Sequence, residues 1–327
     1  MYRSKLDVLT TQSAIRMLRH KFEENLCDAL NLRRVSAPLF VKENSGLNDN
    51  LNGVERPVRF DVKETGEKLE IVHSLAKWKR MALYEYGFKP GTGLYCDMNA
   101  VRRDEVADYI HSIYVDQWDW EKIITAADRT RDYLEDTVRR IYSAILMTAD
   151  YIEREFPVLK NYLPRDIRFV TSAELLERYP DLSPREREEE VAREYGAVFV
   201  IGIGDKLADG KPHDLRAPDY DDWALNGDII VFNKVTGKAF EISSMGIRVN
   251  KESLLSQLEK AGALERVSLP FHKALLEDRL PLTVGGGIGQ SRLCMLLLQK
   301  AHIGEVQASV WPDEEVKRCE EKGIFLL

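Results

Sequence analysis

Apolar residues recur at spacings of three and four between positions 11 and 30, at Ile15, Leu18, Phe22, Leu26 and Leu30, and predict an amphipathic helix. Residues 32–41 follow as a strand, and Pro38 confines it to an edge or terminal position because proline cannot donate to a ladder. Such a unit is either an ordinary helix–strand pair or a docking element for a second subunit. Residues 54–62 and 69–72 read as strands joined by a polar hairpin at 63–68, and 75–86 as a helix with Ser74 as its N-cap. A strand at 93–101 runs into Arg102-Arg103-Asp104-Glu105, and another covers 111–120. One long helix occupies 128–156, with Leu134, Val138, Ile141, Ile145, Ile152 and Phe156 on its core stripe. A short strand at 167–170, serine-capped helices at 172–179 and 183–195, and an apolar strand at 197–203 come next. Residues 204–227 show no period, as a lid, a binding loop or a disordered segment would. Strands 228–233 and 238–243 pair around Thr236-Gly237, helices lie near 251–262 and 270–278, and 305–310 closes as a last strand.

Strands that pair as hairpins outnumber those that alternate with helices. The pattern therefore predicts an α+β fold, a large and mostly antiparallel sheet flanked by helices, in a single domain over 1–327. Composition narrows the partners. The 327 residues carry 47 Lys plus Arg and 54 Asp plus Glu, interspersed, for a net charge of −7. That balance argues against a nucleic-acid partner or a membrane surface. No apolar run reaches the ~18 residues of a membrane span, and the first five residues lack a signal peptide's apolar core. A cytoplasmic protein is expected. Cys27, Cys96, Cys294 and Cys319 are scattered without a CxxC pair and read as reduced thiols.

Candidate chemistry concentrates in a few stretches. Gly285-Gly286-Gly287-Ile288-Gly289-Gln290-Ser291-Arg292 stands between an apolar run and a leucine-rich helix, and reads as strand, glycine turn, helix. The glycines would let backbone approach a ligand, and the helix start would suit an anion. No lysine follows, which excludes a Walker loop, and Gln290 at the sixth position excludes a Rossmann fingerprint. On strand 111–120, Val115, Gln117 and Asp119 share one face, while Tyr114, Asp116, Trp118 and Trp120 share the other. A buried polar pair in so tryptophan-rich a strand is costly without partners, which marks Gln117 and Asp119 as site candidates. Lys77, Lys79 and Arg80 open helix 75–86, where the dipole disfavours cations unless an anion is near; the alternative is a solvated basic face. The asparagine-rich stretch 43–53 and the charge run 185–190 read as exposed surface. The acidic residues of 204–227, with Arg216, are open to either reading.

Arg102-x-x-Glu105, Glu241-x-x-Ser244 and the glycine octet ending in Arg292 together resemble the catalytic core of class II aminoacyl-tRNA synthetases. Arg102 and Glu105 match the second motif of that family. Gly285, Gly287, Gly289 and Arg292 match the third at each fixed position, and 11–41 with Pro38 looks like the first, at the dimer interface. The strings HSLAKWKR at 73–80, HSIYVDQWDWE at 111–121, APDYDDW at 217–223 and GGGIGQSRL at 285–293 are similar to the ammonia-dependent asparagine synthetase A, or aspartate–ammonia ligase, family. The likeness runs over essentially the whole chain, although the segment between Trp223 and Leu225 is shorter than in longer relatives.

The resemblance implies a homodimeric ligase that makes L-asparagine from L-aspartate, ammonia and ATP through a β-aspartyl-adenylate, releasing AMP and pyrophosphate, with Mg²⁺. It implies that Arg102 clamps the α-phosphate, Glu105 contacts the adenine side, and Arg292 lies along the nucleotide beside Gly287 and Gly289. Glu241, with Ser244 and Asp228, would offer oxygens to Mg²⁺. Asp119 and Gln117 would hold the amino group of aspartate. Arg248, Ser74 and Lys77 or Lys79 would take its carboxylates, and Asp49 would receive ammonia. A tRNA synthetase paralogue would need an anticodon-binding domain and a basic face. A silent regulatory paralogue would have no chemical reason to keep Arg102, Glu241 and Arg292 together.

Overall fold

A computed structural model describes residues 2–49, 51 and 55–327. Helix α1 (Val8–Leu30) begins at Asp7, whose carboxylate accepts the Thr10 N–H, and ends at Asn31 in a left-handed conformation, φ 59°. The 32–41 segment is two short strands rather than one. β1 (Leu32–Arg34) joins the main sheet, whereas β2 (Phe40–Lys42) joins a small one with β3 (Arg59–Asp61) and β4 (Lys68–Ile71). Pro38 lies in the break between β1 and β2, where no ladder bond is asked of it. Val54, where a strand was expected to start, lies outside the described residues.

Helix α2 (Ala76–Glu85) is capped at Leu75 rather than Ser74; the Ser74 hydroxyl accepts the Ala76 N–H at 3.1 Å instead. Strands β5 (Gly93–Val101) and β6 (Tyr114–Ile123) and helix α3 (Arg131–Glu155) follow as the periodicity predicts. β7 (Arg168–Thr171) leads into α4 (Ser172–Arg178), whose cap is Thr171 and not Ser172, while Ser183 does cap α5 (Pro184–Tyr195). Arg187 of the charge run is buried and donates to the Tyr179 carbonyl, so that face is not wholly solvated. After β8 (Ala197–Ile201), the aperiodic loop is shorter than expected. β9 (Asp221–Asn233) takes up residues 221–227 and pairs with β10 (Lys238–Arg248). Then come α6 (Lys251–Lys260), α7 (Pro270–Leu276), β11 (Thr283–Gly289), α8 (Gln290–Leu297) and α9 (Asp313–Glu321). The strand expected at 305–310 does not form: Ile303–Glu305 is a single tight helical turn, and irregular chain follows.

The main sheet runs β1-β5-β6-β11-β10-β9-β8-β7, antiparallel except where β1 meets β5 and β7 meets β8. One face packs on α1, α3 and α8. There Phe22 of α1 meets Trp118 of β6 with ring centroids 4.7 Å apart, and the α8 leucines join the same core. α2 crosses the other face of β5 and β6, where Ala82 and Leu83 bury against Leu94 and Ile123. Consecutive residues of β6 therefore point to different jobs, Asp116, Trp118 and Trp120 toward the helical layer and Gln117, Asp119 and Glu121 toward the α2 side.

Candidate active site

β6 and β11 are antiparallel neighbours with Gln117 opposite Gly289, Asp119 opposite Gly287 and Glu121 opposite Gly285. Three polar side chains thus rise from one face of β6 at every second residue, and every second residue across from them is a glycine. A Cβ on Gly285 would collide with the Glu121 carboxylate and lie 2.6 Å from Arg248 Nη2; on Gly287 it would lie 2.7 Å from Asp119 Oδ1 and overlap the Gln117 amide. Gly286, on the alternate face, would place a Cβ 2.5 Å from that of Met245. None of these glycines has a positive φ. The octet is therefore not a turn: its glycines belong to β11 itself, and what they supply is space for the side chains of β6.

Cations answer this acidic row. Lys79 is buried, with Nζ 3.2 Å from Asp119 Oδ2, 4.0 Å from Glu121 Oε2 and donating to the Gly286 carbonyl at 2.9 Å. Arg248 is bound by Glu121 through Nε and Nη2, the latter at 2.7 Å, and by Asp221 through Nη1. Burial works to raise the Glu121 pKa, but Arg248 and Lys79 outweigh it and hold the carboxyl below its ordinary value. Five guanidinium N–H groups less these three leave one on each terminal nitrogen of Arg248 for a ligand. Lys77 goes elsewhere. Its Nζ lies 3.1 Å from Asp219, which also takes His272 Nε2 at 2.9 Å and Arg266 Nη1 at 3.3 Å. Lys77, Lys79 and Arg80 are all buried and partnered, so the basic start of α2 is not a solvated face.

A cavity of about 430 Å³ opens over this row. Asp49, Ser74, Lys79, Arg102, Glu105, Gln117, Asp119, Glu241, Ser244, Arg248, Gly287, Gly289 and Arg292 all line it; of the expected site residues, Lys77 and Asp228 do not. The stretch around Asp49 is not the exposed loop its composition suggests. Asn48 is buried and bonds Glu70, the Ile71 carbonyl and the His73 N–H, and Asp49 is buried with its carboxylate accepting the Leu51 N–H at 2.8 Å. Arg102, just beyond the end of β5, has no ion-pair partner among the described residues; its Nη2 reaches the His73 carbonyl at 3.4 Å and its Nε is buried without a bond. Arg292, on the first turn of α8, sits 3.6 Å from the Glu241 carboxylate and donates to the Glu241 carbonyl at 3.1 Å.

The resemblance implies Mg²⁺, and the donors here can be tested for it. Asp228 faces Ser244 across the β9–β10 ladder. One Asp228 oxygen is held by Arg216, while Oδ1 is buried with no hydrogen-bond partner among the described residues. Burial, with Glu241 nearby, pushes the Asp228 pKa up to about 7 against the pull of Arg216. The surrounding protein works to raise the Glu241 pKa although its side chain opens to the cavity, but Arg292 and Arg216 keep it below its ordinary value. An all-oxygen set with an orphaned carboxylate oxygen fits a hard divalent cation. A second cluster, His302, Glu315 and Cys319, has its ligand atoms within 4.8 Å of one another but fits a metal poorly. His302 Nδ1 accepts the Gly304 N–H at 2.9 Å, which leaves the ring proton on Nε2, the nitrogen that faces Glu315.

One residue of the site, Glu121, has no place in the sequence-based expectations, and two more, Asp221 and Arg216, stay open there between a functional and a solvated role. Glu121 is one further step along the Gln117–Asp119 alternation and was available to that reading. Asp221 was hidden by its aperiodic surroundings. Arg216, on the loop before β9, lines the cavity beside Tyr220.

Known proteins share this fold. The asparaginyl-tRNA synthetase of Entamoeba histolytica, solved in complex with asparaginyl-adenylate, matches with a TM-score of 0.65 at 16% identity, over 92% of this chain and 66% of that one. The asparaginyl-tRNA synthetase of Pyrococcus horikoshii, also complexed with asparaginyl-adenylate, gives 0.64 at 15% identity over 93% and 70%. At such identities the likeness is one of fold, and the fold is that of a class II aminoacyl-tRNA synthetase catalytic core. Sequence goes further. Residues 9–323 match the model of the aspartate–ammonia ligase family. The chain is 59% identical over 326 residues to the aspartate–ammonia ligase of Bacillus cytotoxicus, covering 100% of both chains. It is 58% identical over 327 residues to that of Clostridium perfringens, covering 100% of this chain and 97% of the relative. The chain belongs to the aspartate–ammonia ligase family and is an enzyme.

Proposed function

We propose that the enzyme makes L-asparagine from L-aspartate, ammonia and ATP by way of a β-aspartyl-adenylate, with the whole chain acting as one catalytic domain. The observation that carries this reading is the row Gln117–Asp119–Glu121 laid under alternate glycines, with Lys79 and Arg248 set into it. A row of that kind recognises a small zwitterion. Asp119 and Gln117 take the ammonium group of aspartate, while Lys79, the two spare N–H groups of Arg248 and the Ser74 hydroxyl face its carboxylates. Of the two lysines, Lys79 is the contact, because it lines the cavity, whereas Lys77 does not and is committed to Asp219.

A carboxylate resists ammonia because its leaving group would be oxide, so it is first made an adenylate. The β-carboxylate oxygen bonds to the α-phosphorus and the bond to pyrophosphate breaks. Positioning and charge neutralisation carry most of such a step. Among the described residues no carboxylate pairs with Arg102, and its planar fork suits the α-phosphate. Glu105 meets the adenine side, and Arg292 lies along the nucleotide beside Gly289. Mg²⁺, held by Glu241, Asp228 and Ser244, would neutralise polyphosphate charge. Ammonia then attacks the β-carbonyl carbon, the bond to AMP breaks, and Asp49 receives the proton. The loop from Gly204 to the start of β9 shields the adenylate from water.

Two copies of the chain pair through α1 and β1. β1 is an edge strand of the main sheet with its outer side unpaired in the described chain, and α1 presents a concave polar surface between Arg16 and Glu24. The enzyme works in the cytoplasm; among the described residues no helix is long and apolar enough to cross a membrane. Incubation with aspartate, MgATP and ammonium should give asparagine, AMP and pyrophosphate in equal amounts. ADP in place of AMP, or a requirement for tRNA, would overturn the assignment.

A further inference from the structure

Arg216 has no part in the scheme above, yet its setting is unusual. It lies on the loop before β9, its side chain 15% exposed, and it lines the cavity. Nη2 is paired with Asp228, Nη1 lies 3.1 Å from Asp214, and Glu241 is close enough to feel its charge. Of the two acidic groups proposed for the metal, Asp228 is therefore already paired with Arg216, while the ion-pair partner of Glu241 is Arg292 at 3.6 Å. Asp228 is saturated on one oxygen only, since Oδ1 is buried without a bond among the described residues.

The loop around Arg216 is tied at two points. Upstream, His213 Nε2 bonds Glu188 of α5 at 2.9 Å. Downstream, Asp219 is locked by Lys77, His272 and Arg266. Between these anchors Asp214 and Leu215 are exposed, so Arg216 hangs from a short arch with fixed feet. Such an arch can redirect one long side chain without opening the loop.

We infer that Arg216 is a further catalytic residue, one that neutralises Asp228 beside Glu241 until a divalent cation binds these carboxylates, and then turns to the polyphosphate of ATP. The inference rests on the assignment of these carboxylates to the metal. Its physics is competition. A guanidinium and a divalent cation on one carboxylate repel each other, whereas a guanidinium beside phosphates on that cation is attracted to them. The planar fork matches phosphate oxygens, and a cation there stabilises the charge that grows on departing pyrophosphate.

The test compares Mn²⁺ binding without nucleotide, followed by electron paramagnetic resonance, with aspartate-dependent ATP–pyrophosphate exchange. Arg216→Met should bind Mn²⁺ roughly tenfold more tightly, the loss of one competing charge, yet exchange roughly 100-fold more slowly. Arg216→Lys keeps the charge without the fork, and should return Mn²⁺ affinity to that of the unmodified enzyme while recovering exchange only in part. A merely structural arginine would not move the two readouts in opposite directions. Unchanged or weaker Mn²⁺ binding in Arg216→Met overturns the inference. Asp228→Asn separates the underlying assumption: if it leaves Mn²⁺ binding unaltered, the metal assignment itself fails and the inference fails with it. If Asp228→Asn weakens binding but Arg216→Met does not strengthen it, the metal assignment stands and the competition is wrong.

Discussion

Gly287 lies directly across the β6–β11 ladder from Asp119, with 2.7 Å between the position of an added Cβ and Asp119 Oδ1. The glycine is what allows a carboxylate to lie flat on its neighbouring strand and still face the cavity. Gly287→Ala should therefore displace both Asp119 and Gln117. The fold should survive, at a cost of about 1–3 kcal/mol for overpacking. The aspartate KM should rise at least tenfold, with the ATP KM changed far less. Steady-state kinetics with each substrate varied in turn checks the split, and equal effects on both substrates would contradict this placement of Asp119.

Lys77 and Lys79 are two residues apart on α2 and both buried, but the structure gives them different work. Lys77→Met strands Asp219 among fewer cations, and breaking a buried pair typically costs about 3–5 kcal/mol. That variant should melt several degrees lower and show a near-normal aspartate KM. Lys79→Met removes a cation from the cavity and should raise the aspartate KM by at least tenfold. Thermal melts and kinetics on the two variants settle which lysine meets substrate; reversal of the pattern would reverse the assignment.

The contrast between those lysines shows where sequence is legible and where it is not. The 3.6 and 2.0 periods reveal α1, α3, β5 and β6 because burial of one face is a local property of spacing. The motif residues converge on one cavity as the family resemblance implies. Asp219, however, reaches Lys77 from 142 positions away, and nothing local announces which lysine it selects. The same holds for residues 221–227. Asp221, Asp222 and Asn226 look like loop chemistry, yet they sit in β9 because Arg248, Arg129 and the backbone of Ile203 satisfy them. The glycine octet misleads in the other direction. Glycine usually marks a turn, and only the paired side chains of β6 reveal that space, not backbone freedom, is what those positions require.

Asp49 should separate the two half-reactions. It lines the cavity, buried, on the chain that precedes Leu51. If its carboxylate takes the proton from attacking ammonia, Asp49→Ala should leave aspartate-dependent pyrophosphate exchange nearly intact. Asparagine formation should fall by about 10²–10³, the usual scale for loss of a general base. A parallel loss of exchange would place Asp49 in aspartate or nucleotide binding instead.

Asp219 makes stability depend on pH in a defined direction. Burial alone would raise its pKa, but Lys77, His272 and Arg266 win and hold it well below the ordinary carboxylate range. In the unfolded chain it titrates near ~3.9. A carboxyl depressed in the folded state contributes stability that is full above the unfolded pKa and is lost as pH falls toward the folded one. The protein should therefore lose melting temperature below about pH 4 to 5 in part through this group. Asp219→Asn should melt lower at pH 7, where the ionised form is worth most. Its melting temperature should then approach that of the unmodified protein as the pH is lowered, because both side chains end up neutral. Melts from pH 7 down to the acid limit of reversible unfolding test this. A constant gap between the two proteins over that range would show that the charge of Asp219 contributes nothing and that its hydrogen bonds alone hold the loop.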